Sequence, residues 1–162
     1  MNTEQFNQCV DMHSDALYRF ALKNLKDEDE AREIVQISFE KLWIRRQEVD
    51  YERVRSYLFT TGYHAMVDFW RRQKRSSEMT PELENTVSTP AQEYKGLKGI
   101  IEKALKQLPD VQKSVLLLRD YEGYSYEEIG EITGLNESQV KVYIFRARQT
   151  LKQVIGNLEA VL

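Results

Sequence analysis

The sequence predicts an all-α protein of two small helical domains joined by a flexible linker, the C-terminal one a helix-turn-helix. Three observations carry this. Gly and Pro are scarce, seven and three in 162 residues, while Leu, Glu, Lys, Gln and Arg abound. Apolar residues recur at intervals of three and four through both halves. One stretch, SSEMTPELENTVSTPAQEY (76–94), holds two of the three prolines and no apolar period, which reads as a linker.

The elements follow in order. Phe6, Val10, His13, Leu17, Phe20, Ala21 and Leu25 define one face of a helix over 4–24. The charged turn KDEDE (26–30) supplies Asp27 or Asp29 as the next N-cap, and its acids suit a helix N-terminus. That second helix runs to about Arg46, with Ala31, Ile34, Val35, Ser38, Phe39 and Leu42 facing inward. A third runs from about Arg53 to Lys74, turning Val54, Tyr57, Leu58, Thr61, Ala65 and Met66 inward. Gly62 costs this helix about 1 kcal/mol relative to Ala, so a close packing contact or a bend is expected there.

The second half restarts near Lys98, with Ile100, Ile101, Ala104, Leu105 and Leu108 on one short helix. Pro109 suits the first turn of the next, which carries Val111, Val115, Leu116 and Leu118. Glu122-Gly123-Tyr124 breaks it. Ser125 and Glu128 have capping-box spacing, and Gly134 suits a left-handed helix end. Asn136 and Gln139 repeat the box at the start of the last helix, whose buried stripe is Val140, Ile144, Ala147 and Leu151.

Composition narrows the function classes. No run approaches the roughly 18 apolar residues of a membrane span, so no direct membrane insertion is expected. The N-terminus lacks a secretory pattern, and the single Cys9 cannot form an internal disulfide; both fit a cytoplasmic protein. There is no phosphate loop, no metal-ligand spacing and no nucleophile–base set, so neither an enzyme nor a cofactor or metal site is expected. Cys9, His13 and His64 read as structural or surface residues.

The formal charge of −3 hides a segregation. Residues 1–50 carry net −4, 51–75 net +4, 76–95 net −3, 96–135 net −2 and 136–162 net +2. Two basic islands therefore stand in an acidic chain. Phosphates respond to charge within about 8–10 Å, not to the total.

The second island belongs to a helix-turn-helix spanning Tyr126–Arg148. Ile129 and Ile132 face inward, Gly134 makes the tight turn, Leu135 plugs the corner, and Val140 and Ile144 anchor the second helix. Glu137, Ser138, Gln139, Lys141, Val142, Phe145 and Arg146 then lie outward. Lys141, Arg146, Arg148 and Lys152 suit phosphates, while Ser138, Gln139, Lys141 and Arg146 suit base edges. The first island, RSYLFTTGYHAMVDFWRRQKR (55–75), interleaves aromatics with cations, which is what single-stranded nucleic acid needs. Within it Tyr57, Leu58 and Phe69 read as core.

Three segments in this order resemble an extracytoplasmic-function (ECF) type sigma factor of bacterial RNA polymerase. EAREIVQISFEKLW (30–43) resembles the helix by which that family docks on core polymerase. Residues 55–75 resemble its promoter-melting and upstream-reading segment, and 108–151 its C-terminal helix-turn-helix domain. The resemblance covers nearly the whole chain except the linker. It implies a domain over 1–75 for core docking and for binding and melting the −10 element. A linker over 76–97 and a −35-binding domain over 98–162 follow.

The implied partners are core polymerase, held through the clamp helices of its largest subunit and its flap, promoter DNA, and an anti-sigma factor. The implied docking residues are Glu33, Gln36, Phe39 and Trp43. The implied −10 residues are Tyr63, His64, Trp70, Arg71, Arg72, Lys74 and Arg75. The implied −35 residues are Ser138, Gln139, Lys141, Val142, Arg146 and Arg148. Two departures stand out. His64 occupies a position where the family usually has Asn, and QVKVY (139–143) stands where TVKSR is common. A stand-alone helix-turn-helix repressor or activator is the alternative, but its first half would carry a ligand pocket, receiver or dimer interface.

Overall fold

The computed structural model describes residues 1–79 and 96–161, all helical apart from short connections. The predicted linker beyond Met79 lies outside these residues. The chain divides into two units, the first built on Met1–Ser76 and the second on the helices after the linker.

The first unit holds three long helices. Helix α1 spans Thr3–Leu25, α2 spans Glu28–Ile44 and α3 spans Val54–Met79, with a 3-10 turn at Tyr51–Arg53 leading into α3. Each start has a local cause. Asn2 and Gln5 form a reciprocal capping box on α1, with bonds of 2.8 and 3.0 Å. Asp27 caps α2, accepting from the backbone N–H of Asp29 and Glu30, which decides between the two candidate caps. Helix α1 ends on Lys26 in the left-handed region, at φ 56°.

Leu17, Phe20, Ala21, Ala31, Ile34, Leu42, Val54, Leu58, Phe59 and Met66 are buried and form the core. Each large member contributes about 1.5–3 kcal/mol on leaving water. The Phe20 and Phe59 rings meet at 5.3 Å. The buried polar groups Asn24 and Ser38 donate to the carbonyls of Phe20 and Ile34, one helical turn back, so neither costs an unmet bond. Tyr57, Val10 and Val35, expected inside, are only half-buried, whereas Cys9 is fully buried. Helix α3 also continues five residues past its predicted end at Lys74, because propagation adds one bond per residue even without an apolar face.

In the second unit α4 spans Leu97–Lys106, α5 Asp110–Asp120, α6 Tyr126–Thr133 and α7 Glu137–Val161. Both α4 and α5 pack on α7. Pro109 stands at the N-cap of α5, one position before the first turn. The expected capping boxes form: Ser125 with Glu128 at 3.0 and 3.1 Å, and Asn136 with Gln139 at 3.0 and 2.8 Å. Gly134 joins α6 to α7 at φ 80°, a conformation that a side chain would strain. Ile129, Ile132, Val140, Ile144 and Ala147 are buried, while Leu135 and Leu151 are half-buried. Lys113 is almost fully buried, and desolvation pulls its ammonium down, partly opposed by Asp110.

Candidate nucleic-acid interface

The helices sort the candidate residues into three groups. On α2, Glu33 and Gln36 lie on the exposed face, with Gln36 donating to Glu40 at 3.0 Å. Trp43 is exposed at the helix end, with its ring 5.0 Å from Phe6 and the Arg46 guanidinium 3.9 Å above it. Both contacts hold the indole in place, which lowers the entropy lost when a partner covers it. Ile44, next in sequence, is the most exposed large apolar residue among those described, at 76%. It was not among the candidates. Phe39 requires a correction: it is buried, edge-on to Phe6 at 6.2 Å, and supports the face from beneath. Its spacing of four from Val35 and three to Leu42 already placed it inward.

On α3, His64 is exposed and Trp70 half-exposed, while Arg71, Arg72, Lys74 and Arg75 all reach solvent. Arg71 meets Asp68 at 4.0 Å across an exposed turn, a contact worth little. Arg72, Lys74 and Arg75 make no ion pair among the described residues, so these three cations, beside the weakly paired Arg71, remain available to phosphates. Tyr63 requires the second correction. It is only 5% exposed and leaves no ring face open to a base. The Phe59, Tyr63, Met66 spacing of four and three is a core stripe, which the aromatic–basic reading overlooked.

On α7, Ser138, Val142 and Arg146 are exposed, and Arg146 makes no ion pair among the described residues. Lys141 lies 3.4 Å from Glu137 one turn back, with its ammonium 5.8 Å above the Tyr126 ring. Arg119 of α5 also stacks on Tyr126, at 4.5 Å, and donates to the Tyr124 carbonyl. Tyr126 therefore ties the starts of α6 and α7 to the end of α5, a role that no sequence spacing announces.

Two of the expected DNA-reading groups are engaged inside the unit. The Gln139 side-chain oxygen accepts from the Asn136 N–H, closing the capping box, while the residue stays exposed. Arg148 donates to both carboxylate oxygens of Asp120, at 2.7 and 3.4 Å, and the bond to Asp120 raises its already high pKa. Phe145, 61% exposed, stands on the outer face beside Val142 at 44%.

Among the described residues no group of His, Cys, Asp and Glu could hold a metal, and no helix is long and apolar enough to cross a membrane. The arrangement offers three surfaces: an exposed aromatic and acidic face on α2, a cation cluster on α3, and the outward face of α7 in the helix-turn-helix.

Comparison with known proteins agrees with this division. Residues 9–76 match the sigma-70 region 2 family, and residues 98–151 match sigma-70 region 4. The RNA polymerase sigma factor SigV of Bacillus subtilis is 32% identical over 146 residues, covering 89% of this chain and 87% of SigV. The ECF RNA polymerase sigma factor SigM of the same organism is 28% identical over 151 residues, covering 90% and 92%. Among solved structures, the sigma factor RpoE of Bartonella quintana, crystallised with the anti-sigma factor NepR, superimposes with a TM-score of 0.79. It shares 25% identity over 95% of this chain and 98% of RpoE. A helix-turn-helix preceded by a complete region 2, in a chain matched nearly end to end by these relatives, is not a stand-alone repressor: the protein belongs to the sigma-70 family of RNA polymerase sigma factors, in its extracytoplasmic-function group.

Proposed function

We propose that residues 1–75 dock on core RNA polymerase and hold the melted −10 element, that 76–97 serve as a tether, and that 98–162 bind the −35 element. The observation that supports this most is the separation of surfaces. The exposed face of α2, with Glu33, Gln36 and Trp43, is acidic and aromatic, which suits a protein partner such as the polymerase clamp helices. The polymerase flap is the second expected contact. The end of α3, with Trp70, Arg71, Arg72, Lys74 and Arg75, is cationic with an aromatic at its edge. That combination can track a backbone and stack an unpaired base, offsetting the few kcal/mol that base flipping costs. His64, exposed on the same helix, joins this surface.

On α7, Ser138, Lys141, Val142 and Arg146 form the −35 contact, with Gln139 and Arg148 supporting the helix rather than reading bases. The protein works by binding, in the cytoplasm, with no chemistry of its own. Its resemblance to a sigma factor crystallised with an anti-sigma factor supports regulation by such an inhibitor.

Size-exclusion of the full chain with purified bacterial core polymerase, followed by transcription from a promoter library, tests the assignment. Stoichiometric co-elution with promoter-dependent transcripts is expected. Failure to co-elute, together with tight binding of the free chain to duplex DNA, overturns it.

A further inference from the structure

We infer that Val142 and Phe145 read thymine methyl groups in the −35 element, so that this protein selects A·T pairs there by apolar contact. The inference rests on the assignment of α7 to the −35 major groove and goes beyond it by naming the chemistry read.

Four observations converge. Val142 and Phe145 are 44% and 61% exposed, although both are apolar and both lie on a helix whose inner stripe, Val140, Ile144 and Ala147, is already buried. They stand three residues apart on α7, about 4.5 Å along the helix axis, comparable to the roughly 3.4 Å step between base pairs. Exposed Lys141 and Arg146 flank them, so charge complementarity assigns the face to a polyanion rather than to an apolar protein surface. The polar groups on this face are partly committed: the Gln139 side-chain oxygen closes the capping box and Arg148 is tied to Asp120, which leaves Ser138 and the Gln139 amide as the neutral polar groups beside Val142 and Phe145.

The face offered to the base edges thus carries two hydrocarbon groups beside two cations and the hydroxyl of Ser138. In the major groove the thymine C5-methyl is the one apolar group that a base pair presents, and small or aromatic apolar side chains are its natural contacts. Val142 presents two methyls and no hydrogen-bonding group to the groove, which favours thymine.

The test uses holoenzyme reconstituted from core polymerase and the full chain. A promoter library randomised at −35 first yields the preferred element. That promoter is then made with deoxyuridine replacing thymidine in the −35 window, which removes only the methyls. The expected result is a T-containing consensus and a loss of affinity of about fourfold for each contacted methyl. The Val142→Ala and Phe145→Ala variants, whose side chains are exposed and outside the core, should shrink the thymine-to-uracil penalty toward one.

Equal binding of thymine and uracil promoters by a holoenzyme that still transcribes overturns the inference while leaving the −35 assignment intact. So does an equal loss on both templates in the two variants, which would place a protein against the pair instead. Absence of promoter-dependent transcripts from every template overturns the underlying assignment and the inference with it.

Discussion

Gly62 of α3 lies so close to Leu17 of α1 that a methyl placed on its Cα would stand 3.1 Å from Leu17 Cδ1. Ser38 Oγ and Ile34 Cγ2 of α2 close in on the same point, at 3.4 and 3.5 Å. One glycine thus lets three helices meet, and it resolves the choice between close packing and a bend in favour of packing. Gly62→Ala gains about 1 kcal/mol of helix propensity and loses a comparable amount to crowding, so its stability should stay within about 1 kcal/mol of the parent. Gly62→Val adds two more carbons against the buried Leu17 and should cost about 2–3 kcal/mol. Urea denaturation of both variants measures this. A Val variant as stable as the parent would show that the contact yields freely.

The Asp120–Arg148 pair should hold α7 to the end of α5 rather than serve DNA. Both side chains are about half exposed, 41% and 48%, so the pair stabilises by no more than about 1 kcal/mol. A double-mutant cycle of Asp120→Ala and Arg148→Ala should return a coupling energy near 0.5 kcal/mol. In holoenzyme binding to promoter, Arg148→Ala should weaken affinity less than Arg146→Ala. The opposite order would mean that Arg148 leaves Asp120 when DNA arrives.

Much of this was legible in the sequence because it is decided locally. A helix start needs an acceptor within three residues, so Asp27, Ser125–Glu128 and Asn136–Gln139 announce themselves, and the Asn2–Gln5 box has the same signature. Burial at three- and four-residue spacing was equally readable: it puts Phe39 inward, as found, and the same spacing from Phe59 to Met66 buries Tyr63, whose ring had been valued for stacking. What the sequence hid is tertiary competition for a side chain. Nothing in the spacing says that Arg148 will find Asp120 across 28 residues, or that Arg119 and Lys141 will share the Tyr126 ring. A cation read as free is only as free as the nearest carboxylate allows.

His13 gives the first unit a pH dependence of predictable sign. Burial lowers its pKa below the usual 6.5, and the nearby Arg55 cation lowers it further. The unfolded chain therefore binds the proton more readily. Stability should be fully present above about pH 6.5 and fall as the pH drops through that value toward the lower folded pKa. Thermal melts between pH 7.5 and 5 should show this fall, and His13→Gln should flatten it. An unchanged slope in the variant would assign the acid sensitivity to other groups.

The two cation sets should separate kinetically. Arg146, exposed on α7 and without an ion pair among the described residues, is the cation we propose to meet the duplex as the holoenzyme first docks. Arg146→Ala should reduce the salt dependence of promoter binding, lowering the slope of log K against log salt by about 1, because one fewer counterion is released. Arg72, Lys74 and Arg75 follow Trp70 on α3, where a strand freed from pairing would run. If, as proposed, those contacts form only with melted DNA, reversing these charges should leave initial binding within about threefold of the parent and slow strand opening by about tenfold or more. Permanganate reactivity of unpaired thymines against time, beside equilibrium binding at several salt concentrations, reads the two steps on the same promoter. Normal opening with charge-reversed α3 would remove the cluster from the melting step, and a lost initial complex would place it on duplex DNA instead.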